Sequence, residues 1–243
     1  MKLNSGNKED NEAACKYIEE KAGQLDVIIA NAGKYSFFFL LWTGINNNNN
    51  NIGIGISKYY GPLATTPISE FEDHWKVNAM GPVVLFQATH KLLLASPTKA
   101  PTFVVISTGA ASISAYIPMA SSAYGSSKTA VNFLVKVLDD EHAKDGLIAF
   151  AISPGLVATD MVSPSFIARF SIFLSLTHTS REQGNKGANT LGLAQAPVSL
   201  EDSVNGILSR IDGATREKSS GKFWNYKATR GNPWDIDSEE VPW

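Results

Sequence analysis

The chain has 243 residues, of which 44% are hydrophobic and 18% are charged, and its formal net charge is −2. This length suffices for one large domain with a substantial core, and the near-neutral balance excludes a globally basic nucleic-acid binder. One cysteine, Cys15, excludes an intrachain disulfide framework. The apolar runs are shorter than the roughly 20 residues that a membrane span needs. We therefore predict a cytoplasmic globular protein with no metal, nucleic-acid or membrane partner.

Helical patterns alternate with short apolar segments along the chain. We predict helices over residues 9–22, 69–94 (with Ser69 as N-cap), 122–144 and 200–212. We predict strands over residues 25–30, 102–107, 147–152 and 221–226. Strands that are apolar throughout and separated by helices are typical of a parallel sheet covered on both faces. The sequence therefore predicts an α/β fold, in which ligands bind beyond the carboxyl ends of the strands.

The segment YGSSK at residues 124–128 places Tyr124 and Lys128 one turn apart on a predicted helix. A lysine ammonium beside a tyrosine hydroxyl favours the phenolate, so Lys128 is expected to lower the pKa of Tyr124. The pair could then pass a proton to or from a substrate oxygen. Taken alone, the pattern is common by chance and fits two surface residues equally well.

Other candidate residues follow predicted strands. Asn31 lies in ANAG (30–33), Ser107 and Thr108 end FVVIST (103–108), and Pro154 begins a turn after the next strand. Asn78 lies inside a predicted helix, in VNAMGP (77–82). Each residue alone fits an ordinary turn or a solvated polar position. Their repetition at successive strand ends indicates one site at the carboxyl edge of the sheet.

Together with SPGLVATDM (153–161), these segments resemble the short-chain dehydrogenase/reductase superfamily. Residues 196–208 and 221–234 resemble its carbonyl-reductase branch, which includes norsolorinic-acid-ketoreductase-like and C-factor-like proteins. The resemblance implies a Rossmann-type, mainly parallel sheet with helices on both faces. It implies NAD(P)H-dependent reduction of a ketone or oxidation of an alcohol, a role in secondary metabolism and, for an intact protein, a homo-oligomer. The substrate it suggests is a polyketide-derived ketone.

The resemblance also implies a role for each matched residue. Tyr124 would be the acid/base, Lys128 would lower its pKa and bind the nicotinamide ribose, and Asn78 would hold a water of the proton relay. A hydroxyl would polarise the substrate oxygen; alignment from the strand end gives Thr108, with Ser107 and Ser112 as open alternatives. Besides Tyr124 and Lys128, the residues implied to contact NADP or NAD are Asn31, Ala32, Gly33, Pro154, Gly155, Val157 and Thr159.

The chain departs from the family pattern at its start. The first strands and the glycine-rich turn that binds the pyrophosphate are missing before residue 9. We therefore expect a single domain, 1–243, that is incomplete at its N-terminus and whose sheet has a gap or an exposed edge. Loss of the phosphate contacts should weaken dinucleotide binding. We expect this chain to be a weak or inactive catalyst.

Two segments, 34–57 and 162–183, interrupt the resemblance, and the first contains six consecutive asparagines. Our hypothesis is that both are introns translated in frame. For 162–183 the alternative is a substrate lid, because such loops often carry substrate contacts.

The sequence is also compatible with two other interpretations of the whole chain. The first is a nucleotide-sensing or regulatory protein that keeps the fold without turnover. The second is a helix-rich interaction module with chance motifs, which predicts that Tyr124 and Lys128 lie on different surfaces.

Overall fold

A computed structural model of the protein describes residues 6–31, 40–42, 59–158, 192–194, 196–227 and 239–243. The strands there are β1 (Val27–Ala30), β2 (Leu40–Trp42), β3 (Thr102–Ile106), β4 (Ile148–Ser153), β5 (Val157–Ala158), β6 (Val198–Ser199) and β7 (Phe223–Asn225). Among the described residues, five of them form one sheet in the order β2-β1-β3-β4-β7, while β5 and β6 pair separately.

The sheet is parallel except at one edge. Strands β1, β3, β4 and β7 pair in parallel, with Ile28 opposite Phe103 and Phe103 opposite Ala149. Strand β2 pairs antiparallel with β1. The edge of β1 that faces away from β3 is therefore paired with residues 40–42. The remainder of the segment 34–57 and the whole segment 162–183 lie outside the described residues, so the two hypotheses about them stay untested.

The helices flank these strands in sequence. They are α1 (Lys8–Ala22), α2 (Ile68–His74), α3 (Met80–Leu94), α4 (Ser122–Glu141), α5 (Leu200–Asp212) and α6 (Arg216–Ser219), with a π-helical turn at Trp75–Ala79 and 3₁₀ turns at Leu63–Thr65 and Gly109–Ala111. Among the described residues, none of the helices combines the length and apolar character that crossing a membrane requires.

Side-chain capping begins three of the described α-helices, α1, α5 and α6. The side chain of Asn7 accepts a hydrogen bond from the Asp10 N–H at 2.7 Å, which starts α1, and Gly23 ends it as predicted. Ser199 caps α5 in the same way through the Asp202 N–H. The predicted N-cap at Ser69 is wrong: Pro67 is the N-cap residue and makes no side-chain hydrogen bond, so α2 begins two residues earlier than predicted.

The core has two halves, one on each face of the sheet. Alternate strand residues point to opposite faces, so Ile28, Phe103 and Ala149 pack with side chains of α3 and α4. Phe150 and its neighbours on the opposite face pack with Ile207 of α5. Each fully buried large side chain contributes roughly 1.5–3 kcal/mol. This confirms the predicted α/β class with helices on both faces.

Gly206 lets α5 approach the end of β7 closely. A Cβ atom at this position would lie 2.6 Å from the Tyr226 carbonyl oxygen, closer than real contacts allow. We expect Gly206→Ala to lower the free energy of unfolding by about 1–3 kcal/mol, because backbone must move to admit the methyl group. The exposed neighbour Asn205→Ala is the matched control. Denaturant unfolding of both variants checks this, and equal stability would show that the helix–strand contact yields without strain.

Candidate active site

Polar residues follow three parallel strands at the same edge of the sheet. Asn31 follows β1, Ser107 and Thr108 follow β3, and Pro154 follows β4. The first turns of α4 adjoin this edge through Tyr124 and Lys128, as described below. The sequence prediction of one site at the carboxyl ends of the strands therefore agrees with the observed positions.

Tyr124 is buried beside Thr108. It is 8% exposed. Burial raises the pKa of Tyr124 well above its ordinary value, the nearby Tyr60 adds to this rise, and the Thr108 side chain opposes it. Thr108 also caps the 3₁₀ turn by accepting a bond from the Ala110 N–H at 3.3 Å, so its hydroxyl is oriented by its own backbone.

Lys128 reaches the end of the same strand. Its ammonium is buried and donates a hydrogen bond to the Ile106 carbonyl oxygen at 2.7 Å. Burial lowers the pKa of Lys128 to about 8. The expected lowering of the Tyr124 pKa is not found: that pKa is raised, because burial outweighs any charge that Lys128 supplies.

Two side chains of α4 thus lie at the end of β3. Tyr124 interacts with Thr108, and Lys128 donates to the Ile106 carbonyl oxygen. These two partners are two residues apart on the chain. The interpretation as a helix-rich interaction module, which required the two side chains to lie on different surfaces, is wrong.

Asn78 joins this group from the π-helical turn. Its side-chain amide is buried and donates a hydrogen bond to the Ser127 hydroxyl at 3.0 Å. Ser127 in turn donates to the Tyr124 carbonyl oxygen at 2.7 Å. The π turn was not predicted from sequence, although single π turns inside helices are frequent at functional sites. The asparagine is thereby fixed against the first turn of α4.

The three candidate hydroxyls have different partners. Ser107 donates to the Asn132 side-chain oxygen at 2.6 Å, and Ser112 donates to the Pro242 carbonyl oxygen at 2.6 Å. Thr108 is the member of this set whose side chain acts on the pKa of Tyr124. Thr108 is therefore the hydroxyl that we carry forward as the candidate partner of Tyr124.

Asn31 has the character of a ligand contact. It is 4% exposed, and neither its side-chain nitrogen nor its side-chain oxygen has a hydrogen-bond partner among the described residues. An unpaired buried polar group costs about 1–3 kcal/mol, which a polar ligand can offset. Lys128 uses one of its three N–H donors on Ile106, so it can also donate to a ligand. These donors and acceptors fit the hydroxyl-rich sugars of a dinucleotide.

The turn after β4 packs closely against Tyr226 and α5. Gly155 adopts a φ of +78°, and a Cβ there would lie 2.8 Å from the Tyr226 ring. Pro154 accepts a hydrogen bond from the Ser203 hydroxyl at 2.7 Å, and Val157 is buried in β5. The other residues expected to contact the cofactor, Ala32, Gly33 and Thr159, lie outside the described residues.

Comparison with known proteins agrees with this geometry. Residues 1–168 match the family model described as short chain dehydrogenase. The norsolorinic acid ketoreductase of Aspergillus parasiticus is 33% identical over 100% of this chain and 71% of its own length. The norsolorinic acid ketoreductase of Dothistroma septosporum is 36% identical over 74% of this chain and 59% of its own length.

Solved structures show the same fold. The carbonyl reductase Sniffer of D. melanogaster superposes with a TM-score of 0.67 at 18% identity, covering 100% of this chain and 77% of that one. The NADPH-bound carbonyl reductase from chicken fatty liver gives 0.60 at 18% identity, covering 92% and 73%. At this identity the likeness shows the Rossmann-type fold. With the family model and the sequence relatives, it follows that the chain belongs to the short-chain dehydrogenase family of NAD(P)-dependent oxidoreductases.

Proposed function

We propose that the protein is a carbonyl reductase in which Thr108 and Tyr124 hold the oxygen of a ketone and Tyr124 gives it a proton. The observation that carries this is the position of the Thr108 hydroxyl beside the buried Tyr124 hydroxyl at the carboxyl edge of the sheet, where Thr108 opposes the rise in the pKa of Tyr124. Two neighbouring hydroxyls can both donate to one carbonyl oxygen placed between them. NAD(P)H supplies the hydride for the carbonyl carbon when it is bound.

Tyr124 can act as the acid in ketone reduction because its hydroxyl holds a proton at neutral pH. Thr108 donates to the oxygen as negative charge develops on it, and this stabilises the transition state more than the ground state.

Lys128 and Asn31 are proposed to bind the cofactor. The remaining N–H donors of Lys128 suit the hydroxyls of the nicotinamide ribose, and the unpaired amide of Asn31 suits a second polar group along the dinucleotide. Asn78 is proposed to hold a water near Tyr124. It also fixes the first turn of α4 through Ser127.

The names of the relatives favour a polyketide-derived ketone as substrate. The chain spans between 59% and 73% of the length of the three norsolorinic acid ketoreductases that it matches. Because three relatives carry the name norsolorinic acid ketoreductase, we propose norsolorinic acid as the first ketone to test and a simple aryl ketone as the second.

The groove between α3 and α4 supports a homodimer. A cavity of about 350 Å³ there is lined mainly by apolar side chains, including Val83 and Phe86 of α3 and Leu134 and Val137 of α4. Apolar side chains that line an open groove are typical of a protein interface. We propose that these helices pair with a second copy of the chain.

Substitution of the two hydroxyl residues tests the proposed reaction. We expect Tyr124→Phe and Thr108→Val each to lower kcat for ketone reduction by about 10²-fold or more, since each removes a donor to the substrate oxygen. Thr108→Ser should retain most of the activity. Tyr116→Phe, a change at a tyrosine that is 72% exposed, is the matched control. NADPH oxidation measures turnover, and full activity of Tyr124→Phe would refute the assignment.

NADPH binding and ketone turnover by the wild-type chain together distinguish a catalyst from a nucleotide sensor. Tight NADPH binding without turnover of any ketone in a broad panel would favour the regulatory alternative.

Burial of Lys128 predicts a pH-dependent stability. Its pKa falls from 10.5 to about 8 in the folded protein, so the folded state binds fewer protons between these values and stability rises with pH across this window. Relative to Lys128→Met, the wild-type free energy of unfolding should rise by on the order of 3 kcal/mol between about pH 8 and 10.5. Denaturant unfolding at several pH values measures this, with the exposed Lys144→Met as control. Parallel curves for wild type and Lys128→Met would contradict it.

Disruption of the α4 surface tests the dimer. Phe133 is 70% exposed on the helix that supplies Leu134 and Val137. Phe133→Glu should convert the protein to a monomer without loss of fold, because an unpaired charge at an interface is costly. Light scattering gives the mass, and Ile113→Glu, at a residue that is 72% exposed, is the control. A wild-type protein that is already monomeric would overturn this proposal.

A further inference from the structure

Residues 239–243, which we name the C-terminal strap, lie along the outer edge of β7. The Asn225 N–H donates to the Glu239 carbonyl oxygen at 2.9 Å, and the Val241 N–H donates to the Phe223 carbonyl oxygen at 2.7 Å. Trp224 and Glu240 form an antiparallel bridge between these two bonds. The strap therefore pairs with the sheet edge opposite to the one that β2 covers.

Side chains fix the strap at both ends. Val241 is 1% exposed, and the ring of Trp243 stacks on Phe223 with ring centroids 5.7 Å apart. Lys222 and Glu240 form an ion pair at 3.2 Å, which is half-exposed and contributes little. The position of the strap therefore depends mainly on backbone pairing and apolar contact.

The last two residues of the strap bind the loop that follows Thr108. Ser112 donates its hydroxyl proton to the Pro242 carbonyl oxygen at 2.6 Å. Ser114 donates both its N–H, at 3.0 Å, and its hydroxyl, at 2.7 Å, to the main-chain oxygen of Trp243. Three hydrogen bonds thus connect residues 112–114 to a segment about 130 residues away in sequence.

This loop is continuous with the Thr108 hydroxyl. The Ala111 N–H donates to the Thr108 carbonyl oxygen at 2.9 Å, and the Ser112 N–H donates to the Gly109 carbonyl oxygen at 3.1 Å. The 3₁₀ turn is therefore hydrogen-bonded from Thr108 through to Ser112. A shift of Ser112 would be transmitted to Thr108 through four residues of closed turn.

We propose that the C-terminal strap is a positioning element of the carbonyl site: by holding Ser112 and Ser114, it fixes the turn that presents the Thr108 hydroxyl to Tyr124. This inference rests on the proposed reductase function. A hydroxyl on a short turn must keep its place to within about 0.5 Å to act on a developing charge. The three bonds to the strap supply that restraint from outside the site.

The experiment is a double-mutant cycle between the strap contacts and Thr108. One arm compares kcat of the wild type with that of the double variant Ser112→Ala/Ser114→Ala. The other arm makes the same comparison in a Thr108→Val background, which lacks the hydroxyl. We expect the serine changes to lower kcat about tenfold when Thr108 is present and to have almost no effect on kcat when it is absent. The Kd for NADPH should stay within about twofold, because Asn31 and Lys128 do not contact the strap.

Two control variants separate positioning from general damage. Ser114→Thr keeps a hydroxyl at an exposed position and should restore wild-type kcat, whereas Ser126→Ala, an exposed serine of α4 that bonds only locally in the structure, should not change it. If the serine changes lower kcat equally in both backgrounds, the strap is a purely structural cover of the sheet edge and the inference is wrong.

A readout without substrate separates this inference from the proposed function. Hydrogen exchange of the amides of residues 109–115 should become faster in the double variant, whether or not the chain reduces a ketone. Unchanged exchange would overturn the strap inference alone. Faster exchange in the double variant, as expected, combined with no ketone turnover by the wild type would overturn the reductase proposal instead.

Discussion

The bond from the Lys128 ammonium to the Ile106 carbonyl oxygen determines how α4 lies across the end of β3. A lysine that is 3% exposed needs an acceptor, since an unpaired buried charge is very costly. Because the acceptor is the last residue of a strand, the helix cannot rotate or slide without breaking the bond. Tyr124, one turn earlier on α4, is then held beside Thr108, two residues later on the chain. The earlier residue of α4 thus lies beside the later residue of the strand end, so the two segments run in opposite directions where they touch.

Several buried polar residues share this edge of the sheet. Asn31, Asn78, Ser107 and Lys128 are all less than 5% exposed. Placing polar groups there costs stability, which the apolar clusters on the two faces of the sheet offset. Ser107 and Thr108 have different roles. Ser107 connects the strand end to Asn132 of α4, and Thr108 lies beside Tyr124.

Much of the fold follows from local sequence. The bounds of α5 were predicted because its apolar residues recur at helical spacing, and the structure shows Ser199 as its N-cap. The parallel strands were predicted because each is apolar throughout, as in the fully buried β4. The boundary at Pro67 was missed because a proline can begin a helix without any capping side chain.

The site was predictable as a set of residues but not as a set of contacts. Consecutive residues on a strand point in opposite directions, so the sequence could not say whether Ser107 or Thr108 faces Tyr124. Nothing near Ser112 indicates a partner at Pro242, since the two lie 130 residues apart. The predicted direction of the Tyr124 pKa shift was wrong because burial decides that direction, and the degree of burial is a property of the assembled site.

The π-helical turn at residues 75–79 makes this region sensitive to chain length rather than to residue type. Each residue of an α-helix advances by about 100° around the axis. Removal of one residue before Asn78 would let the turn relax into regular α-helix and swing its amide away from Ser127. Natural variation in this stretch should therefore consist of substitutions, and insertions or deletions should be confined to the loops on either side of the helices.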